Sequence, residues 1–433
     1  MCSITSCLSS AACCLCSSSC GRCGSATMTR VGYALLLLLS AVCGWIFLNP
    51  KVSSDLQKMD KYVGHICKGN ENCDRRWGEL GVYRVLTATA VFHALMALIL
   101  IGVKSSRDPR AAIHKGFWPV KLLLLIALAT GAFFIPNGVF MDLGWVALVC
   151  GFLFIIVQMV LLVDFAYSWN EAWLGRMEDG SSCYKWGLIT CSFGAYAIAI
   201  AITVCCFVFY TQADNNPCTL SKTALGVNIG LSLIMTFFAL HPRVQEAQPT
   251  SGLLQAGIMS FYTTYLVWSA VSNVDEPCGM GVKPDTTATV VGAILTFLAV
   301  AYSSMRTSSA SQLGKLGMQQ DASERESLIL SDVESGGGDD DDSSGGGCAG
   351  GDDEADGVKY SWSFFHLTFM MAAFYLMMVI TDWANIRDGH TANEKVGNGL
   401  ASVWIQIASS WVVALLYIWT LIAPLCLPNR DFS

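Results

Sequence analysis

Asp164, Ser168 and Glu171 stand at i, i+4 and i+7, on one helical face, inside the apolar stretch LGWVALVCGFLFIIVQMVLLVDFAYSWNEAWLGRM at 143–177. Paired carboxylates can do acid–base work on a substrate. Two helical turns separate these two by about 10 Å, too far to share one reacting group. Charge on so apolar a helix is costly, so the carboxylates are expected to face protein, water or headgroups rather than acyl chains. Two readings stand. The carboxylates hold a structural partner such as Lys121 or Arg176, or they line a polar groove for a lipid headgroup or small solute. Gln158 and Asn170 add hydrogen-bonding capacity on adjoining faces. Arg243, in HPRVQEAQP, is a candidate headgroup contact at a proline-marked boundary, with an ordinary loop charge as the alternative. Trp169 and Trp173 fit an interfacial aromatic belt.

Other chemistry is sparse. The chain has no G-x-x-x-x-G-K-[ST] phosphate loop, no H-E-x-x-H zinc helix and no G-x-S-x-G nucleophile elbow. Its six histidines (His65, His93, His114, His241, His366, His390) are scattered, without metal-ligand spacing. His366, in YSWSFFHLTF, reads as a packed, hydrogen-bonded side chain. A phosphatidyl-transferring synthase needs several clustered carboxylates to hold divalent metal, and the apolar stretches offer only Asp164 and Glu171. The expectation is a non-enzyme with no metal, no cofactor and no nucleic-acid partner.

The elements that must position these residues are membrane helices. Of 433 residues 53% are hydrophobic and 14% charged, far too apolar for a soluble protein of this size. Ten candidate spans emerge, at 31–48, 83–103, 118–134, 143–177, 185–210, 223–239, 252–271, 287–302, 361–381 and 401–425. As one helix, 143–177 is roughly 50 Å long against a hydrocarbon core of about 30 Å, so it must tilt or run past the interface. The first span reads as a retained helix rather than a cleaved signal peptide. An even number of spans puts both termini on one side. Lys104, Arg107, Arg110 and Lys115 crowd one short connection, which marks that side as cytosolic. Cys67, Cys73, Cys218 and Cys278 then fall in loops on the oxidising side, where disulfides persist. Cys67 with Cys73, and Cys218 with Cys278, are the candidate pairs.

Two segments lie outside the spans. The leader, 1–30, carries Cys2, Cys7, Cys13, Cys14, Cys16, Cys20 and Cys23. A Ser-rich cysteine cluster beside a span suits S-acylation at Cys13, Cys14, Cys16, Cys20 and Cys23. The alternatives are an unmodified shallow hairpin, or metal at Cys20 and Cys23, which lack a second ligand pair. The insertion 303–359 holds thirteen acidic residues between Asp321 and Asp356 against a single Arg325, and reads as a disordered cytosolic loop. It divides the chain into an eight-span part, 31–302, and a two-span part, 360–433. Glu324, Leu328 and Ile329 have the form of an acidic dileucine sorting signal, whose reader would be a clathrin adaptor; chance is the competing explanation.

On these residues the chain resembles the serine incorporator (Serinc, TMS/TDE) family. The resemblance runs along nearly the whole length. It includes the cysteine-rich leader, RAAIHKGFWPVK at 110–121, LLVDFAYSWNEAW at 161–173, HPRVQEAQPTSGLLQAGIMSFYTTYLVWSAVSN at 241–273, YSSMRTSS at 302–309, YSWSFFHLTF at 360–369, SSWVVALLYIWTLIAPL at 409–425 and the terminal NRDFS. It implies an all-α polytopic protein of ten spans in two helical subdomains joined by a long diagonal helix, matching 143–177. It also implies a role in supplying serine for phosphatidylserine and sphingolipid synthesis, or passive phospholipid scrambling through a polar groove. Membrane phospholipids, sphingolipids, serine and lipid-synthesis enzymes are the implied partners; endoplasmic reticulum, endomembranes or plasma membrane are the implied sites. A solute transporter is a third reading. It is weakened by the lack of an internal repeat and by Pro119, Pro136 and Pro424 lying at or near span ends.

Overall fold

The computed structural model describes residues 26–57, 73–178, 182–211, 218–248, 251–274, 278, 286–305, 361–381 and 400–426. Among them the regular structure is helical: α1 (Ala26–Phe47), α2 (Pro50–Gln57), α3 (Cys73–Ile99), α4 (Ala111–Lys115), α5 (Trp118–Ala132), α6 (Asn137–Glu178), α7 (Ser182–Tyr210), α8 (Thr219–Leu240), α9 (Pro242–Ala247), α10 (Leu253–Ser272), α11 (Thr286–Met305), α12 (Trp362–Ile380) and α13 (Leu400–Cys426). The protein is an all-α polytopic membrane protein. Seven helices, α1, α3, α6, α7, α8, α12 and α13, are long and apolar enough to cross a bilayer, while α5 and Val290–Ala299 within α11 are shorter apolar pieces. The outer faces are what a lipid-facing surface requires: Phe193, Ile200 and Leu233 are each more than 60% exposed.

The described chain forms two compact units. The smaller takes in residues up to Leu36, His93–Leu124 and Ser304–Leu367. In it Arg110 organises the basic turn after α3. Its guanidinium donates to both carboxylate oxygens of Asp108 (3.1 and 2.8 Å) and to the carbonyls of Ile99 (3.0 Å) and Ile101 (2.9 Å), so one cation satisfies a helix end that lacks intrahelical donors. Those bonds from Arg110 hold the Asp108 carboxyl below its ordinary range.

The larger unit comprises Leu37–Phe92, Leu125–Ser303 and Thr368–Ser433. Its centre is α10, which packs on α6, α7, α8 and α13. Fifteen of its 20 residues are buried. Enclosure explains its composition: Thr, Ser, Tyr and Gln are tolerated where neighbouring helices replace lipid and offer partners. Thr264, for instance, accepts a 2.9 Å bond from Asn228 on α8. Ala224, Leu225, Val267, Ala270, Val271, Val403 and Ile407 make an apolar cluster where α8, α10 and α13 meet.

The start of the long helix α6 is fixed by a buried cation. Arg84 on α3 is fully buried and donates to the carbonyls of Leu80 (3.3 Å), Ala132 (3.1 Å) and Ile135 (3.3 Å) and to Asn137 Oδ1 (2.7 Å). Its guanidinium carbon also lies 4.7 Å from the centre of the Phe140 ring. The bend from α5 into α6 is thus tied down by one side chain that matches the negative end of α5.

Candidate functional site

Helix α6 is one uninterrupted element of 42 residues. At 1.5 Å per residue it is about 60 Å long, twice a hydrocarbon core. Its polar side chains divide by environment. Gln158 (0% exposed), Asp164 (2%) and Asn170 (8%) are buried within the protein. Ser168 is half-buried and Glu171 is exposed. The expected stripe of Asp164, Ser168 and Glu171 therefore does not form one buried surface. Those three share a face, but Glu171 is left uncovered on it, while Gln158 and Asn170 are buried on other faces because α6 is covered from several sides.

Hydrogen bonds tie this stretch to its neighbours. Tyr262 on α10 donates to Gln158 Oε1 (3.2 Å), and Tyr167 donates to Gln248 Oε1 (3.3 Å) just after α9. The second bond draws the HPRVQEAQ segment to the turn of α6 that lies between Asp164 and Asn170. Arg243 itself is exposed, and its backbone N–H donates to His241 Nδ1 (3.3 Å), which starts α9. It is not gathered with the buried polar residues.

The two basic residues considered as partners for the carboxylates are engaged elsewhere. Lys121 donates to the carbonyl of His114 (2.7 Å), and Arg176 donates to the Tyr184 hydroxyl (2.7 Å) while lying over that ring. Arg176 completes an aromatic ladder of Phe165, Trp169, Trp173 and Tyr184, with centroids 5.5, 5.3 and 5.9 Å apart in sequence. Helix α7 approaches Trp173 so closely at Gly187 that a Cβ there would lie 2.6 Å from the indole ring.

Cys218, just before α8, and Cys278, after α10, form a disulfide with Cα atoms 5.5 Å apart. Cys67 and the side chain of Cys73 lie outside the described residues, as do Cys13, Cys14, Cys16, Cys20, Cys23, Glu324, Leu328 and Ile329. Sequence spacing missed one grouping altogether. His93, His114 and His366, read above as scattered, converge in the smaller unit.

The Serinc family model, described as serine incorporator, matches residues 5–430. A probable serine incorporator of Monosiga brevicollis is 44% identical, the alignment covering 100% of this chain and 96% of that protein. One of Nematostella vectensis is 40% identical over 94% of this chain and 92% of the relative. Serine incorporator 2 of Homo sapiens is 35% identical over 100% and 98%. An all-α polytopic membrane protein matched over residues 5–430 by that model, and over 94–100% of its length by these relatives, belongs to the serine incorporator family.

Proposed function

We propose that this protein promotes the incorporation of serine into phosphatidylserine and sphingolipids without itself being an enzyme, by handling a lipid headgroup within the bilayer along α6. The observation that supports this is that Asp164, Ser168 and Glu171 share one face of a helix twice as long as the hydrocarbon core, passing from buried through half-buried to exposed. A headgroup moving between leaflets loses hydration, at a cost of several kcal/mol or more if its charge is left unpaired. The face of α6 that carries Asp164, Ser168 and Glu171 can offset part of that cost while acyl chains remain in lipid. The names of the relatives favour serine as the small molecule concerned. A passive scramblase is the mechanistic form this reading takes; serine carriage is the second.

In this reading both termini are cytosolic, and the protein resides in the endoplasmic reticulum, endomembranes or plasma membrane. Phospholipids, sphingolipids, serine and lipid-synthesis enzymes are its partners, and clathrin adaptors meet the acidic loop at 324–329. Purified protein in liposomes, assayed in parallel for lipid flip and serine uptake, separates the two forms. Asp164→Asn should slow lipid flip while leaving the protein folded, and Glu171→Gln, at an exposed position, should do less. Parental flip rates for Asp164→Asn at matched protein density would end the headgroup reading; serine uptake without lipid flip would replace it with carriage.

A further inference from the structure

The turn between α3 and α5, in the smaller unit, is rich in cations. From Ile101 to Val120 the chain holds Lys104, Arg107, Arg110 and Lys115 against one acid, Asp108. Arg110 and Asp108 pair at 2.8 Å. Lys115 is half-buried, with its ammonium 5.7 Å from the centre of the Trp362 ring. Lys104 and Arg107 are exposed.

Hydrogen bonds within the turn fix where those two side chains start. The Ser105 hydroxyl oxygen accepts from the Arg107 N–H (3.1 Å) and the Ser105 carbonyl from the Asp108 N–H (3.2 Å), while the Asp108 carbonyl accepts from the Ala111 N–H (2.9 Å). Apolar side chains stand out from the same stretch: Ile101 is 57% exposed, Phe117 58% and Val120 59%. Phe117 has a φ of 57°, left-handed backbone that glycine adopts freely and a phenylalanine does not. Its carbonyl accepts from the Lys121 N–H (3.0 Å) and so starts α5, a task that needs no ring. A strained backbone that carries a mostly uncovered phenyl group points to an apolar medium outside the fold.

We propose that this turn is a binding site for anionic phospholipid. Lys104 and Arg107 take the headgroup phosphate, and Phe117, with Ile101 and Val120, enters the outermost acyl region beside it. Helix α3 is long and apolar enough to cross a bilayer and α5 is a shorter apolar helix, so the turn that joins them lies at the membrane surface. Charge selects the lipid. A zwitterionic headgroup brings its own ammonium against the two cations, whereas an anionic one does not. Each Lys or Arg at an anionic surface strengthens attraction about fivefold. A soluble acidic partner would match the cations but leave the three apolar side chains in water. The turn is no part of α6, so this site is separate from the face that carries Asp164.

Basic residues beside a span also set its orientation. Orientation needs the charges but not the ring, and it draws no distinction among lipids. A lipid site needs both. Removing the charges therefore changes which lipid binds, and removing the ring changes how tightly any lipid binds.

The test is native mass spectrometry on the full chain in detergent micelles, titrated with phosphatidylglycerol, phosphatidylserine and phosphatidylcholine. The two anionic lipids should bind alike and ahead of phosphatidylcholine, and that preference should fade as salt rises from about 0.05 to about 0.5 M. Lys104→Gln should cut the preference about fivefold, and adding Arg107→Gln should cut it by about as much again. Phe117→Gly should weaken all three lipids alike while leaving the melting temperature unchanged or raised. Equal binding of phosphatidylglycerol and phosphatidylcholine would overturn the site, as would a preference that survives Lys104→Gln/Arg107→Gln. Phosphatidylserine bound well ahead of phosphatidylglycerol would replace charge selection with recognition of the serine headgroup. A preference that appears only when residues 310–357 are deleted would give the cations to the chain's own acidic segment instead. The salt titration of the parental protein decides alone if a variant fails to fold.

Discussion

Removing the Cys218–Cys278 bond gives a sharp test of the packing in the larger unit. The cysteines are 60 residues apart in sequence. Loop-closure entropy for a fully flexible segment of that length is worth about 4 kcal/mol. A membrane protein unfolds differently, because its helices persist in the apolar phase. Between the two cysteines lie α8, α9 and α10, which leave only about a dozen residues free to flex, and the same relation then yields about 3 kcal/mol. The double variant Cys218→Ser/Cys278→Ser should therefore lose about 3 kcal/mol if helices survive unfolding and about 4 if they melt. Each single variant should lose as much as the double, since either one opens the loop. The assay is reversible unfolding in mixed micelles with increasing SDS, with and without reductant. A loss below about 1 kcal/mol, or a parental protein indifferent to reductant, would refute the reasoning.

Arg84→Met should destabilise by about 2–4 kcal/mol, because the carbonyls of Ala132 and Ile135 lose a buried charged donor; Arg84→Lys should recover part of this in thermal melts. Gly187→Leu should cost about 1–3 kcal/mol by driving a side chain into Trp173, whereas Gly194→Ala, with nothing within 4 Å of the new Cβ, should be neutral or stabilising. Tyr262→Phe should cost about 1–3 kcal/mol by stripping Gln158 of its partner, and adding Gln158→Leu should recover most of that. Acidification should weaken the fold through His114. Its folded-state pKa lies well below the unfolded value, so the unfolded chain binds more protons as pH falls. The stabilisation is complete above about pH 7 and is lost below about 6.5, by at most about 1.4 kcal/mol per pH unit; His114→Gln should flatten the slope in pH-dependent melts.

The helices were legible because membrane spans announce themselves as long uncharged runs, and all ten candidate stretches coincide with helices to within a few residues, apart from the starts of α1, α3 and α6, where polar or turn-like residues extend the helix; seven of those ten helices are long and apolar enough to cross a bilayer, and the stretches at 118–134, 252–271 and 287–302 fall on the three that are not. The excess length of α6 was legible for the same reason. Environment around α6 was not. A helical wheel places Asp164 and Glu171 together, but only the packing of neighbours determines that one is enclosed and the other exposed. Arg84 carried no signal at all, because three of its acceptors are backbone carbonyls, which every residue possesses. The histidine chain was hidden by distance: His366 stands 273 residues from His93 and 252 from His114, on helices whose pairing no local pattern specifies.

The polar content of α10 bears on how the protein is made. The helix against which α6, α7, α8 and α13 all pack is not among those apolar enough to enter a bilayer by themselves. Its Thr263, Thr264, Ser260 and Gln255 face protein only once neighbours are present. Three of those neighbours precede it in the chain, and α13 is synthesised more than a hundred residues later. During synthesis α10 must therefore wait beside α6, α7 and α8 in a half-enclosed state, sheltered by the insertion machinery or by water, until the last helix arrives to close its remaining side.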